Sequence, residues 1–138
     1  METLSEIFEK NPQSDIDYQE YTDYSPDESI SDETAADKKW VRCRNCYFKI
    51  ALTSDKIRIN DAESHLFKNP SGIFFTIICF SSAPGAINIT EHTEENTWFR
   101  NFLWSISICA SCGSHLGWHY LSGTEGFYGL ITYRLTGV

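Results

Sequence analysis

Two Cys-x-x-Cys pairs constrain this chain more than any other feature of its sequence. One pair is Cys43 and Cys46, and the other is Cys109 and Cys112. Thiolates three residues apart can bind one tetrahedral ion because the turn between them brings both sulfurs to one side, and two such pairs complete a closed structural zinc site. The 62 residues between the pairs exceed the spacing of a compact zinc finger. The pattern predicts one structural Zn²⁺ that joins distant parts of a larger domain and leaves no coordination position open for catalysis.

Other roles for the cysteines have less support. Disulfides or redox-active pairs would need an oxidising compartment or a thioredoxin-like βαβ context, and the chain indicates neither. His115 lies three residues after Cys112 and could replace a cysteine ligand, but we expect a hydrogen-bonded structural histidine. Cys79 lies between Ile78 and Phe80, where a free cysteine behaves as a small hydrophobic residue.

The charge of the chain is divided unevenly along its length. Residues 1–37 hold 12 Asp or Glu against one Lys, a net charge of −11, while residues 38–138 hold 7 against 10 Lys or Arg, a net charge of +3. The first segment has too few apolar residues to offset the entropy of ordering it. We therefore predict an acidic, mostly disordered leader over 1–37 and a folded zinc-binding β domain over 38–138. The weak basic charge gives little reason to expect a nucleic-acid partner.

The sequence shows no membrane or secretory signal. No apolar run approaches the length of a membrane span. The acidic N-terminus lacks the basic region and the apolar stretch of a signal peptide. We expect a soluble cytoplasmic protein with reduced thiols and no membrane partner.

After residue 37 the apolar pattern is that of strands, and no segment has the period of a long amphipathic helix. A polar connection over residues 55–63 and a turn at Asn69-Pro70-Ser71-Gly72 separate the first strands. The apolar strand after that turn is expected to be buried on both faces. The predicted strands cover residues 50–53, 73–80, 87–90, 102–108, 114–120 and 127–135.

Three of the four tryptophans lie in residues 97–120. Trp98 follows a polar loop, Trp104 lies on the strand before Cys109, and Trp118 shares a strand face with Tyr120. Tryptophans usually belong to a core. The alternative is that these rings form the walls of a cage for a small flat or cationic guest, and the spacing leaves both interpretations open.

The combination of motifs resembles the thalidomide-binding domain of the cereblon type, known as the CULT domain. The resemblance covers roughly residues 39–138. It rests on Cys43-x-x-Cys46, Asn69-Pro70-x-Gly72, Trp98-Phe, Trp104, Cys109-x-x-Cys112-Gly-Ser-His115-Leu-Gly-Trp118-His-Tyr120 and Phe127-Tyr-Gly-Leu130.

This resemblance implies a mainly β fold in which two antiparallel β-sheets meet at a large angle, a β-tent, pinned by one zinc ion. It also implies a pocket for cyclic imides such as glutarimide and thalidomide-like ligands. Members of the family hold the imide ring through backbone groups, here the carbonyl of Asn96 and the amide of Trp98. The expected ligand-binding residues are Asn69, Pro70, Phe75, Asn96, Trp98, Trp104, Trp118 and Tyr120.

Two departures from the family pattern affect this site. Animal members have histidines where this chain has Ser71 and Asn96, so side-chain contacts from those positions must differ. Longer members add a Lon-type domain and helices that dock on a ubiquitin-ligase adaptor. This chain looks like a stand-alone single-domain member of the bacterial kind, for which no adaptor docking is expected.

The predicted function is a binding module, not an enzyme. Its ligands are expected to be cyclic imides, which include free small molecules, uridine-like compounds and the C-terminal imides of damaged proteins. The alternative is an enzyme similar to methionine sulfoxide reductase B on a related zinc fold. That chemistry requires a nucleophilic cysteine in a polar, accessible site, and Cys79 is set among apolar residues.

Overall fold

The computed structural model describes residues 39–138, so the predicted acidic leader lies outside the described residues. The strands are β1 (Trp40–Cys43), β2 (Lys49–Leu52), β3 (Ser64–Lys68), β4 (Phe74–Phe80), β5 (Ala86–Asn88), β6 (Leu103–Cys109), β7 (His115–Ser122), β8 (Glu125–Ile131) and β9 (Leu135–Thr136). Two short 3-10 turns, Thr53–Asp55 and Thr132–Arg134, are the helical segments in this part of the chain, which contains no helix that could cross a membrane. The prediction of a nearly all-β domain is confirmed.

The strands form two antiparallel sheets, as predicted. The smaller sheet has the order β2-β1-β9, and the larger has the order β3-β4-β8-β7-β6-β5. In the larger sheet β6 pairs with β7 from Leu103 opposite Leu121 to Ile108 opposite His115, with a bulge between Ser107 and Ile108. The Cys109 turn joins these two strands, so the sequence around it forms the centre of the larger sheet.

The sequence interpretation missed β3. Its residues alternate between exposed and half-buried, with His65 and Phe67 turned toward the protein and Leu66 exposed. The strand lies at the edge of the larger sheet and pairs with β4 over its whole length. Polar residues on its open face gave it the composition of a loop.

Two predicted strands were wrong in detail. The final strand is interrupted after Ile131 by a 3-10 turn, and its last residues, β9, cross to the smaller sheet and pair with β1. The apolar strand after the Asn69 turn is not buried on both faces throughout, because Phe74 is 58% exposed. Its first half has only the edge strand β3 beside it, whereas the segment from Ile77 onward pairs with β8.

A glycine turn connects the two sheets. The Gly85 N–H donates to the Ile50 carbonyl of β2 at 2.9 Å, and the Gly85 carbonyl accepts from the Ala110 N–H of the second cysteine turn at 2.8 Å. A Cβ at residue 85 would lie 2.0 Å from the Lys49 carbonyl oxygen, so only glycine permits this approach.

The core divides into two clusters of buried residues. The first surrounds the cysteine turns and includes Val41, Ile50, Leu116 and Leu135. The second is rich in aromatic rings and consists of Phe75, Ile77, Cys79, Phe99, Trp104, Ile106, Trp118, Tyr120, Phe127 and Ile131. The metal site and the predicted ligand site therefore lie in different parts of the core.

Candidate functional site: a zinc centre and an aromatic cluster

The four predicted ligand cysteines converge. Cys43 Sγ lies 3.7 Å from Cys112 Sγ, and Cys46 Sγ lies 3.6 Å from Cys109 Sγ. All four sulfurs lie within 4.8 Å of one another and belong to free cysteines. Tetrahedral zinc with Zn–S bonds of about 2.3 Å requires sulfurs about 3.8 Å apart. The donor set fits one structural zinc ion.

Local backbone geometry places each pair of thiols. Cys43 ends β1 and Cys109 ends β6, and each carbonyl accepts a turn hydrogen bond, from Tyr47 N–H at 2.7 Å and from Gly113 N–H at 2.9 Å. Tyr47 adopts a positive φ of 66°, which closes the first turn. The strand ends thus position Cys43 and Cys109, and each turn brings the second cysteine of the pair to the same side.

Hydrogen bonds support the thiolate form of one ligand, Cys112. The thiols of Cys109 and Cys43, together with Asn45 and Ser114, hold the pKa of Cys112 well below its usual range. The Asn45 amide donates to Cys112 Sγ at 3.2 Å. The thiolate is the form that binds zinc, so these donors favour the metal-bound state.

His115 is a structural histidine, as predicted, and is not part of the cysteine cluster. Its Nε2 lies 3.0 Å from the Gly117 carbonyl, to which it donates as an N–H. Burial, with a smaller contribution from the charge of Arg134, lowers its pKa to about 4. The ring is therefore neutral and fixed at the start of β7.

The structure brings Trp98, Trp118 and Phe75 together. The Trp98 and Trp118 rings meet nearly at right angles, at 74°, with their centroids 5.0 Å apart. Phe75 packs 6.0 Å from the Trp98 ring and 5.6 Å from the Trp118 ring. Trp98 is half-buried, whereas Trp118 is 1% exposed, so the corner between the two rings is partly open on the Trp98 side only.

The other two predicted aromatic residues are buried. Trp104 is 0% exposed, and its indole N–H donates to the Glu95 carbonyl at 2.8 Å. Tyr120 is also 0% exposed and packs against Phe99 and Phe127, with ring centroids 4.8 and 5.1 Å away. Both residues are core members in this structure, and the Trp104 bond fixes the loop that leads to Trp98.

That loop presents two backbone groups without partners. Among residues 39–138, no hydrogen-bond partner is found for the Asn96 carbonyl or the Trp98 N–H. Asn96 has a positive φ of 55°, and the adjacent Thr97 N–H donates to the Glu94 carbonyl at 3.2 Å. A fixed turn therefore offers one acceptor and one donor, two residues apart, in the segment that carries the Trp98 side chain.

Asn69 provides a further polar group. Its Oδ1 accepts from the backbone N–H groups of Ser71 and Ile73 at 3.0 and 2.9 Å, which closes the turn at Pro70. The residue is 3% exposed, and its Nδ2 has no partner among the described residues. A buried donor without an acceptor is costly, and a bound ligand can supply the acceptor.

Comparison with known proteins identifies the family of this chain. The family model described as Yippee zinc-binding/DNA-binding and Mis18, centromere assembly, matches residues 39–133. The chain belongs to the Yippee-Mis18 family. The chain is also similar to cereblon: it is 30% identical to cereblon of Xenopus tropicalis over 69 residues, 46% of this chain. It is 27% identical to cereblon of Drosophila willistoni over 94 residues, 66% of this chain.

The match covers 15% of the length of each of these cereblons. The region of similarity is thus a cereblon-like domain and not a whole cereblon. The activity and partners of the complete relatives do not follow from it.

Sequence reasoning missed two aromatic residues of this Yippee-Mis18 domain. Phe67 stacks on Trp98, with centroids 4.8 Å apart and planes 16° apart. Phe99 contacts His65 and Phe67 of β3 as well as Tyr120. Phe99 follows Trp98 directly and could have been assigned to the core, but Phe67 lies in the strand that was missed.

Proposed function

We propose that the domain binds cyclic imides at the edge of the aromatic cluster. One observation carries the proposal: Trp98, whose ring meets that of Trp118 nearly at right angles, belongs to a turn in which the Asn96 carbonyl and the Trp98 N–H have no partner among the described residues. The cereblon-like character of the domain supports the same assignment.

The chemistry of an imide suits these groups. A glutarimide ring has one N–H donor between two carbonyl acceptors and an apolar edge of methylenes. The Asn96 carbonyl accepts from the imide N–H, and the Trp98 N–H donates to one imide carbonyl. The indole faces bury the methylenes, and in so dry a site an unpaired polar edge would be costly.

Asn69 and Phe75 would determine which imides fit. The unpartnered Nδ2 of Asn69 donates to an acceptor on a substituent of the ring. Phe75 packs on both Trp98 and Trp118, so a bound ring has to take over part of the surface that Phe75 covers.

The cysteine outside the zinc cluster does not suit the reductase alternative. Cys79, the fifth cysteine, is 0% exposed, and burial raises its pKa to about 12. A catalytic thiol needs the opposite environment, electropositive and accessible. A non-catalytic binding role in a reducing compartment such as the cytoplasm, where the zinc thiolates are protected, is the function we propose.

The test is a titration of the zinc-loaded protein with glutarimide, thalidomide and N-methylglutarimide, followed by tryptophan fluorescence. We expect saturable binding of the first two and affinity lower by about tenfold or more for the methylated ring, which has lost its donor. Trp98→Ala should abolish binding. Trp40→Ala, in the smaller sheet, is the matched control because it removes a half-buried tryptophan far from Asn96 in the fold.

The proposal is wrong if the folded, zinc-loaded protein does not respond to either imide. It is also wrong if N-methylglutarimide binds as tightly as glutarimide, since the Asn96 carbonyl would then make no contact with the imide N–H.

A further inference from the structure

A pocket lies beside the zinc site. Its volume is about 270 Å³, and none of the residues proposed to bind the imide lines it. Two of its residues, Arg44 and Asn45, lie between the first two zinc ligands, and Ser114 lies two residues after the last ligand. Tyr133 and Arg134 come from the 3-10 turn that precedes β9.

The pocket is held rigidly by the backbone. The Arg44 N–H donates to the Arg134 carbonyl at 2.9 Å. The Arg44 guanidinium donates to the Leu135 carbonyl at 3.2 Å through Nη2. A guanidinium has five N–H donors, so this contact leaves others for a ligand. The turn between the first two cysteine ligands and the 3-10 turn before β9 therefore place Arg44 and Arg134 next to each other.

The lining is cationic and polar, with no acidic residue in it. An alternative to a ligand role is that the arginines only neutralise the charge of the zinc centre, since four thiolates and one Zn²⁺ have a net charge of −2. Asn45 already donates to Cys112 Sγ, and the Ser111 N–H lies 3.4 Å from Cys109 Sγ. Neutral donors thus stabilise the sulfurs directly, and Arg44 donates instead to the Leu135 carbonyl.

We propose that this pocket binds a carboxylate group. A planar guanidinium fork matches a carboxylate in a bidentate geometry. The Asn45 amide keeps a second N–H beyond its bond to Cys112, and the Tyr133 hydroxyl adds a further neutral donor beside the arginines. This proposal does not depend on imide binding, because the two sites share no residue.

The carboxylate has two possible sources. Residues 1–37 of the chain hold 12 acidic side chains. The described chain begins at Lys39, five residues before Arg44, a distance of about 17 Å along a strand. So short a tether gives acidic side chains an effective concentration in the millimolar range. The other source is a free carboxylate ligand.

The experiment is a titration of the zinc-loaded full chain with sodium acetate, followed by backbone amide shifts in NMR spectra, with sodium chloride at equal ionic strength as reference. We expect saturable shifts at Arg44, Asn45 and Ser114. Arg44→Gln should weaken acetate binding by about tenfold or more. Arg100→Gln, which also removes an exposed arginine, should leave it unchanged.

A full-length variant with Asp32→Asn, Glu33→Gln and Asp37→Asn distinguishes the two sources. If these residues occupy the pocket, the variant binds acetate more tightly than the wild type and shows shifted Arg44 and Asn45 signals. If a free carboxylate is the ligand, the variant and the wild type bind acetate equally. Either outcome supports a carboxylate site.

Equal responses to acetate and chloride would overturn the proposal, as would equal effects of the two arginine substitutions. Saturable binding of inorganic phosphate without binding of acetate would also overturn it. If Arg44→Gln loses zinc, Arg44→Lys provides the second variant, because it keeps the charge and removes the guanidinium fork. Unchanged acetate affinity in that variant would refute bidentate recognition.

Discussion

Removal of zinc should unfold the domain. The four thiols lie within 4.8 Å of one another, and Cys43, Cys109 and Cys112 are at most 1% exposed. Without the ion, thiolates this close repel one another, and neutral thiols cannot replace four metal bonds. The ligands come from the ends of β1 and β6 and the turns that follow them, so the smaller sheet loses the metal coordination that joins it to the larger one.

The expected loss is comparable with the whole stability of the fold. Structural zinc in small domains contributes an apparent binding free energy of about 10–16 kcal/mol at neutral pH. A domain of this size has a free energy of unfolding of about 5–15 kcal/mol. The contacts that remain between the sheets, such as the Gly85 hydrogen bonds to Ile50 and Ala110, contribute about 1 kcal/mol each.

The assay is equilibrium unfolding in urea under reducing conditions, followed by tryptophan fluorescence, before and after treatment with a chelator. Metal content is measured on the same samples. Cys79→Ala is the matched control, because Cys79 is equally buried but lies outside the cluster. We expect it to retain zinc and to lose only about 1–2 kcal/mol for the small cavity.

An unchanged urea midpoint in protein verified to be metal-free would refute this reasoning. It would mean that the two core clusters are stable without the ion. A loss confined to the smaller sheet, with the aromatic cluster intact, would refute the claim that the two sheets unfold together.

Three further predictions concern stability. Burial lowers the pKa of His115 from 6.5 to about 4, so its neutral form stabilises the fold above about pH 6.5. About 3 kcal/mol of unfolding free energy is lost as the pH falls toward 4. His115→Gln should flatten that part of the stability curve when zinc-loaded protein is unfolded in urea. Phe99→Ala should lower the unfolding free energy by about 3–5 kcal/mol in the same assay, because the ring is 2% exposed. Gly85→Ala should prevent folding, as judged by circular dichroism, since its Cβ would lie 2.0 Å from the Lys49 carbonyl oxygen. The control Gly123→Ala has open space around its Cβ and should lower the unfolding free energy by only about 1–2 kcal/mol, because of its φ of 63°.

The fold was predictable where local pattern and spacing were sufficient. The cysteine pairs predicted a zinc site, and the β6 and β7 segments were recognised from their alternating apolar residues. The edge strand β3 was missed because an exposed edge needs few apolar residues. The crossing of β9 to the smaller sheet depends on pairing with β1, almost a hundred residues earlier, and no local signal encodes such a contact.

The aromatic residues show a similar limit. Their grouping followed from the motif, but the sequence could not say which rings are covered. Trp104 and Trp118 are closed off by tertiary packing, including Phe75 from β4. The two arginines of the pocket beside the zinc site, Arg44 and Arg134, are 90 positions apart in the chain, and they meet only because β9 pairs with β1.

The pairing of β1 with β9 brings the two ends of the domain side by side. Arg42 is opposite Thr136, and Gly137 is close enough to Trp40 that an added Cβ would lie 3.0 Å from the Trp40 carbonyl oxygen. A unit whose entry and exit points are adjacent can be inserted into a surface loop of a larger host without pulling the host apart. This geometry allows the domain to form part of a longer chain, and the match to cereblon spans 15% of the length of each relative.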